Sequence, residues 1–269
     1  MKRRNLILSG LGVTGALIVG WGVLPARSRL GKPDNMLPTE GEVALNGWIK
    51  IAKDGGVVLA MHRSDMGQGI HNALSMLVAE ELNMPLKQIR LEQAGHDSIY
   101  GNVAMFVGTL PFHPLQSEGV DKPFLVLSGE WIVGKVAREL GVNATGGSSS
   151  VKDAWEHLRL AAATAKACLC LAAADQWKVP LQDINVKDGV ISHASGKSAH
   201  FGEFAQAAAA QTPRNVSLKD RKDWTLIGKP SARADVPAKQ MAALCLGWMC
   251  VCPTCCLPVW SKCLKWAAP

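Results

Sequence analysis

Residues 63–71 are Arg-Ser-Asp-Met-Gly-Gln-Gly-Ile-His, and they join a segment of β-formers to a segment with helical periodicity. Before them, residues 48–52 and 57–61 are apolar runs on either side of an Asp-Gly turn, which predicts a β-hairpin. After them, the apolar residues of 70–82 recur at helical spacing and predict a helix with one buried face. The stretch therefore predicts mixed α and β structure with a glycine loop at the junction.

That loop, formed by Gly67, Gln68 and Gly69, lies directly before the predicted helix. Backbone N–H groups at a helix N-terminus favour an anion, and glycine lets a ligand approach the backbone closely. The third glycine of a dinucleotide fingerprint is missing, and so is the Lys-Ser/Thr of a P-loop, so both motifs are excluded. On its own, such a loop is more often a structural turn than a binding site.

A second loop of the same kind contains Gly147, Ser148, Ser149 and Ser150, and it precedes a helical pattern from 151 to about 177. Ser150 and Asp153 have capping-box spacing, which would leave Ser148 and Ser149 free to donate their hydroxyls. The long helix has little polar face and is predicted to be largely buried. Two such loops predict a pair of helix N-termini that converge on one phosphate-bearing ligand.

The rest of the central region completes an α+β fold class, with mixed sheet hairpins and packed helices. Residues 184–186 and 190–192 flank an Asp-Gly turn and predict a second hairpin, followed by an alanine-rich helix over 201–210. The seven histidines form no H-x-x-x-H pair, so each is interpreted as a surface or packing residue. His62 and His71 flank the first glycine loop and are the two histidines of interest.

The N-terminal segment is basic and then apolar. Lys2, Arg3 and Arg4 precede an uncharged apolar run over 6–24, the layout of a secretory signal. The Arg3-Arg4 pair resembles the twin-arginine export motif, which predicts the periplasm or the periplasmic face of the inner membrane. A short membrane anchor stays open, because the run approaches the roughly 20 residues that span a bilayer and no clean cleavage site follows.

Charge argues against nucleic acid as a partner. The net charge is +7, from 29 Lys+Arg and 22 Asp+Glu, but the basic residues form no stripe and have few aromatic neighbours. A nucleic-acid surface would need such a cluster.

The last stretch, 240–269, is unusually rich in cysteine. Cys252 and Cys255 make a C-x-x-C pair, but no second pair and no histidine accompany them, so a metal site is the weaker interpretation. The codons of Trp248-Met249-Cys250 read Asp-Val in a shifted frame, and that frame permits Gly-x-Asp-Val-Arg-Leu-Pro-x-Met-Leu. A shift near Lys239 or Gln240 is therefore predicted, with an out-of-frame tail.

Residues 63–71, followed by Val-Ala-Glu-Glu-Leu at 78–82, resemble the Gly-Gln-Gly segment of the xanthine dehydrogenase and aldehyde oxidase family. Four further stretches are similar to its isoquinoline 1-oxidoreductase β-subunit branch; they are 99–105, 110–114, 144–155 and 223–230. The likeness covers nearly everything up to Lys239. It implies part of a molybdopterin-binding domain and a shifted-frame continuation that matches the start of the family's next domain.

The resemblance also implies roles for the two loops. Gly67, Gln68 and Gly69 would line the pterin and its phosphate, and Gly147 with 148–150 would complete the cradle. The family hydroxylates aldehydes or N-heterocycles with oxygen from water. Electrons leave through 2Fe–2S clusters on a small iron–sulfur subunit, in some cases with a cytochrome c subunit. The family's catalytic glutamate comes later in the chain, so no catalytic residue is assigned and the truncated chain is expected to be inactive.

The predicted organisation has five parts: a signal or anchor at 1–30, a linker at 31–46, a partial molybdopterin-binding domain at 47–215, a linker to the next domain at 216–239, and the tail at 240–269. An alternative from another class is an exported, membrane-tethered module without catalysis. In that alternative the glycine loops are turns and the cysteine-rich tail binds metal.

Overall fold

The structure, a computed structural model, describes residues 27–233. The apolar run of the predicted signal and the tail at 240–269 lie outside these residues. The elements in chain order are β1 (Glu42–Ala44), β2 (Ile49–Ala52), β3 (Val57–Met61), α1 (Ile70–Leu82), β4 (Ile89–Gln93), α2 (Val103–Val107), α3 (Pro114–Ser117), α4 (Phe124–Leu140), α5 (Ser150–Trp177), β5 (Ile184–Lys187), β6 (Val190–His193), β7 (Ser198–His200) and α6 (Phe201–Ala208).

The first sheet has the strand order β1-β2-β3-β4. The predicted hairpin is confirmed, since β2 and β3 pair antiparallel with Ile51 opposite Val57. Strand β4 pairs with β3 in parallel, and α1 makes the crossover between them. Neither β1 nor β4 was predicted. Lys50 on β2 is buried within this sheet, where its ammonium pairs with Glu42 at 3.0 Å and with Glu92.

The second sheet contains β5, β6 and β7, all antiparallel. Its first two strands are the hairpin predicted around residues 188–189, and β7 is an addition that the sequence did not reveal. Helix α6 follows at once and packs on the turn of the first hairpin. A Cβ at Gly202 would overlap the carbonyl oxygen of Lys53, so only glycine permits this contact.

Helices α1 and α5 pack against each other and form the centre of the core. Helix α1 has the predicted bounds, and Leu74 and Val78 on its apolar face are fully buried. Helix α5 is 28 residues long, and Ala161 and Ala165 let its backbone approach its neighbours. Its length and composition would suit a membrane span, but most of its apolar stretch is buried inside the protein, as predicted for a core helix. The predicted α+β fold class is confirmed.

Residues 103–142 form a helical segment whose two ends lie beside the core. Helix α4 was not predicted, and its outer side exposes Phe124, Leu125 and Trp131. Near its end, the Arg138 guanidinium donates to the carbonyl oxygens of residues 27, 28 and 98 at 2.9–3.3 Å. The described start of the chain is therefore fixed to the end of α4.

Candidate cofactor site

The two glycine loops face each other across one cleft of about 370 Å³. The amide N–H of Ser64 donates to the Thr145 hydroxyl at 2.9 Å and ties the loops together. Residues of both loops and of the helix starts behind them line the cleft; they are Met66, Gln68, Gly69, Ile70, Ala73, Thr145, Gly146, Gly147, Ser148, Ser150 and Val151. Of the seven predicted site residues, Gly67 and Ser149 are not in this lining.

The first loop is closed by its own side chains. The Asp65 carboxylate accepts from the amides of Gly67 at 2.8 Å and His71 at 3.3 Å. The Gln68 side chain accepts from the Met66 amide at 2.5 Å and donates to the Ser64 carbonyl at 2.9 Å. The glycines at 67 and 69 have φ of 103° and 82°, values that favour glycine. The loop is thus a preformed wall, and the Gln68 amide shapes it from within.

The second loop presents Ser148 and Ser150 to the cleft but not Ser149. Gly147 and Ser148 are both left-handed, with φ of 58° and 52°. The Ser149 hydroxyl is buried, donates to the Gly146 carbonyl at 2.7 Å and accepts from the Asn102 amide at 2.8 Å. The prediction that Ser149 is free to donate to a ligand is therefore wrong, because its hydroxyl holds the loop closed.

The predicted capping box between Ser150 and Asp153 is also absent. The Asp153 carboxylate turns away from the helix start and accepts from Arg29 at 2.9 and 3.0 Å, from Arg63 at 2.7 Å and from the Ala104 amide at 3.1 Å. Two largely buried guanidinium groups are stronger donors than one backbone amide. Burial alone would raise the pKa of Asp153, but the Arg29 hydrogen bonds and charge outweigh it and lower this pKa.

Two histidines lie behind the loops with Asp153. Atoms of His62, His157 and Asp153 that could bind a metal lie within 4.8 Å of one another, a grouping that sequence spacing could not show. Both carboxylate oxygens of Asp153 are already engaged by arginines, so the cluster is built around an ion-pair network. Burial, and then the neighbouring arginine charge, lowers the pKa of His157 to about 3 and that of His62 well below its usual value.

A third part of the site comes from the end of the described chain, residues 219–233, which we call the strap. The buried Glu80 carboxylate of α1 accepts from the amides of three successive strap residues, 225–227, at 2.6–3.0 Å. It also accepts from the Lys219 ammonium at 2.5 Å. Burial would raise the pKa of Glu80, but these donors outweigh it and lower the pKa to about 2.

The neighbouring Glu81 holds the start of the strap in the same way. Its carboxylate accepts from the Lys219 amide at 3.0 Å and from Arg159 of α5 at 2.7 Å. Trp224 of the strap packs edge-on against Trp155, with 5.6 Å between ring centroids. Both glutamates are in the segment that carried the family resemblance, but their partners are more than 70 residues away and no local pattern indicated them.

Arg233, the last residue that the structure describes, lies at the first glycine loop. Arg233 donates from Nη1 to the Gly67 carbonyl at 3.0 Å, and its Cζ lies 3.1 Å from the place that a Cβ of Gly69 would take. The cleft therefore lies between two glycine loops, with a guanidinium at its rim.

Comparison with known families gives a match for the first part of the described chain. Residues 12–104, which include β1–β4, α1 and the first glycine loop, match the family model of the molybdopterin cofactor-binding domain. The match confirms molybdopterin as the predicted cofactor class.

Two individual proteins are similar to most of the chain. The chain is 27% identical over 283 aligned positions to the β subunit of isoquinoline 1-oxidoreductase from Brevundimonas diminuta, with 92% of this chain and 31% of the relative covered. It is 25% identical to a nicotinate dehydrogenase subunit from Pseudomonas putida, with 87% of this chain and 16% of the relative covered. The predicted resemblance is confirmed, and the chain spans a third or less of the length of these relatives.

Among solved structures, CO dehydrogenase from Oligotropha carboxidovorans aligns over 76% of this chain and 22% of its own, with a TM-score of 0.36 and 18% identity. Quinoline 2-oxidoreductase from Pseudomonas putida 86 aligns over 71% of this chain and 20% of its own, with a TM-score of 0.35 and 14% identity.

Proposed function

We propose that the cleft between the two glycine loops holds the phosphate-bearing end of molybdopterin. The observation that carries this proposal is the convergence of the loops on one cleft in a chain whose residues 12–104 match the family model. The N-terminal turns of α1 and α5 both border the cleft, and helix N-termini favour anions. The cleft is thus suited to an anionic cofactor.

The residues present fit such a group. None of the described residues that line the cleft carries a charge, so nothing in that lining repels a phosphate. Ser148 and Ser150 bring hydroxyls, and the left-handed Gly69 and Gly147 keep side chains out of the space. A Cβ at Gly69 would approach the Arg233 guanidinium to 3.1 Å. When bound, the cofactor would supply molybdenum redox chemistry, while these residues bind and orient it.

The whole protein is inferred to be a molybdenum hydroxylase large subunit, acting on an aldehyde or an N-heterocycle. The relatives support this, since one is named as an isoquinoline oxidoreductase subunit and another as a nicotinate dehydrogenase subunit. We further infer a small iron–sulfur subunit as electron acceptor, with a cytochrome c subunit as a second partner. The Arg3-Arg4 pair supports twin-arginine export to the periplasm.

The chain by itself is proposed to be inactive, because no catalytic base is assigned among its residues. The proposed shift of frame near Lys239 has its own test, which is the nucleotide sequence across that codon. A shifted frame that continues as Gly-x-Asp-Val-Arg-Leu-Pro supports the proposal, and a shifted frame that closes within a few codons rejects it.

Cofactor binding is tested by expressing the 269-residue chain in a host that makes molybdopterin and measuring the pterin that the purified protein releases. Wild type is expected to retain pterin. Ser148→Asp, which suits the left-handed backbone but places a negative charge in the cleft, is expected to lose most of it. Ser195→Asp, on an exposed turn of the second sheet, is the matched control and is expected to retain pterin.

A folded wild-type chain without pterin would reject the proposal. Zinc in the purified protein, together with an absence of pterin, would favour the membrane-tethered module with a metal-binding tail.

A further inference from the structure

We propose that Arg233 is a phosphate-binding residue of this cleft and that the strap exists to hold it there. The inference rests on the proposed function, because it assigns a further ligand-binding side chain to the same site. Its basis is the position of the Arg233 guanidinium against the first glycine loop and the way in which Glu80 and Glu81 fix the residues before it.

Arg233 lies where a phosphate in the cleft would need a counter-charge. Its guanidinium contacts the Gly67 carbonyl at 3.0 Å and covers the open side of Gly69, which lines the cleft. The described lining residues are uncharged, so Arg233 brings positive charge to a rim that otherwise offers hydroxyls, the Gln68 amide and backbone dipoles. A planar guanidinium can donate two parallel hydrogen bonds to phosphate oxygens, and it stays charged at neutral pH.

The strap is short enough to keep Arg233 near the loop. Along α1, Gly69 lies eleven residues before Glu80, which is about 16 Å at the rise of an α-helix. The strap covers this distance backwards from Ile227 to Arg233, and six residues reach at most about 20–22 Å when fully extended. A turn closed by the Lys229 amide and the Leu226 carbonyl, at 3.1 Å, shortens that reach. Six residues are therefore enough to reach from Glu80 to the glycine loop, with little spare length in the backbone.

The anchor of the strap is much stronger than a surface contact. The fully buried carboxylate of Glu80 accepts from three successive amides, and Trp224 packs on α5 beside it. Hydrogen bonds to a buried charge contribute more than neutral ones. A passive linker would not need so strong an anchor. A segment that must hold a cation in place before the anion binds would need one.

The test is calorimetric titration of the purified, cofactor-free chain with inorganic pyrophosphate at low salt. Wild type is expected to bind, and Arg233→Gln is expected to bind about ten- to a hundredfold more weakly, the range for loss of a charge-assisted contact. Arg233→Lys keeps the positive charge but loses the parallel N–H donors of the guanidinium, so the affinity of this variant for pyrophosphate should be intermediate. Arg221→Gln is the matched control, because it removes the same charge from an exposed position on the same strap.

Two results would overturn the inference: equal affinity in wild type and Arg233→Gln, or no pyrophosphate binding by a folded wild-type chain. Thermal melting of each variant shows whether a loss of binding reflects a loss of fold.

Failure of the proposed function and failure of this inference give different results. Pyrophosphate binding that depends on Arg233, in a chain that never retains pterin, leaves the inference standing and rejects molybdopterin as the ligand. Pterin retained equally by wild type and Arg233→Gln leaves the proposed function standing and rejects the role of Arg233.

Discussion

Replacing Glu80 by glutamine is expected to release the strap and to lower the free energy of unfolding by about 3–5 kcal/mol, the cost of breaking a buried ion pair. The substitution keeps the shape of the side chain but removes its charge. It also turns one acceptor into a donor, which then faces the Lys219 ammonium or the strap amides. Donors that are buried without an acceptor are the physical cause of the loss.

The magnitude can be obtained from the structure by a second route. The donors around Glu80 lower its pKa from 4.5 to about 2. A pKa change of that size corresponds to roughly 3 kcal/mol of preference for the charged form, which agrees with the range given above. Lys219→Met removes one donor and leaves the three amides in place, so its expected loss is smaller, about 1–3 kcal/mol.

The assay is urea unfolding followed by tryptophan fluorescence, with hydrogen exchange of the Leu226 and Ile227 amides as the local readout. Glu156→Gln is the matched control, since Glu156 is exposed on α5 and its loss should change stability by less than about 0.5 kcal/mol. A loss below about 1 kcal/mol for Glu80→Gln, with unchanged exchange at both amides, would refute the claim that Glu80 anchors the strap.

Three further outcomes are expected. Asp153→Asn should lower the free energy of unfolding, measured in urea, by about 3–5 kcal/mol, because two largely buried guanidinium groups lose their counter-ion. Asp188→Asn, on a turn, is the control and should lower it little. Equal losses in the two variants would contradict this prediction. Stability should fall as the pH drops from 6.5 toward 3, because the unfolded chain protonates His157 and the folded chain keeps it neutral. The loss from His157 is about 2 kcal/mol at pH 5, and a His157→Gln variant with the same pH slope as wild type would contradict it. Gly69→Ala should lower the melting temperature more than Gly196→Ala. Both glycines have positive φ, but of the two only Gly69 has an atom within 4 Å of the place that a Cβ would take. Equal shifts in melting temperature would contradict the contact with Arg233.

Local elements could be predicted from the sequence because their causes are local. The Asp-Gly turns and the apolar runs beside them predicted both hairpins, and helical spacing predicted α1 with its observed bounds. Both glycine loops were found because glycine, serine and the following helix lie within about ten residues of one another. Strand β4 carried a weak signal in the alternation of Ile89 and Leu91, but a single parallel edge strand resembles many loops.

The long-range parts of the site could not be predicted in this way. Asp153 and Arg29 are 124 residues apart, and Glu80 and Ile227 are 147 apart, so no window of periodicity includes both partners. The incorrect prediction of a capping box has the same cause, which is a partner far away in the sequence. The spacing of Ser150 and Asp153 satisfied a local rule, but two distant arginines are stronger donors for the same carboxylate.

The Arg29–Asp153 ion pair also sets an order of events during biosynthesis. Arg29 leaves the ribosome first, but its partners at residues 99, 101 and 153 are made much later. At about 5–20 residues per second, the interval before Asp153 is synthesised is roughly 6–25 s. During that interval the Arg29–Asp153 ion pair cannot form, although Trp48 and Arg138 can already donate hydrogen bonds to the backbone carbonyls of residues 27–29. Formation of this ion pair therefore marks the point at which translation has passed residue 153 and the start of α5 has reached Arg29.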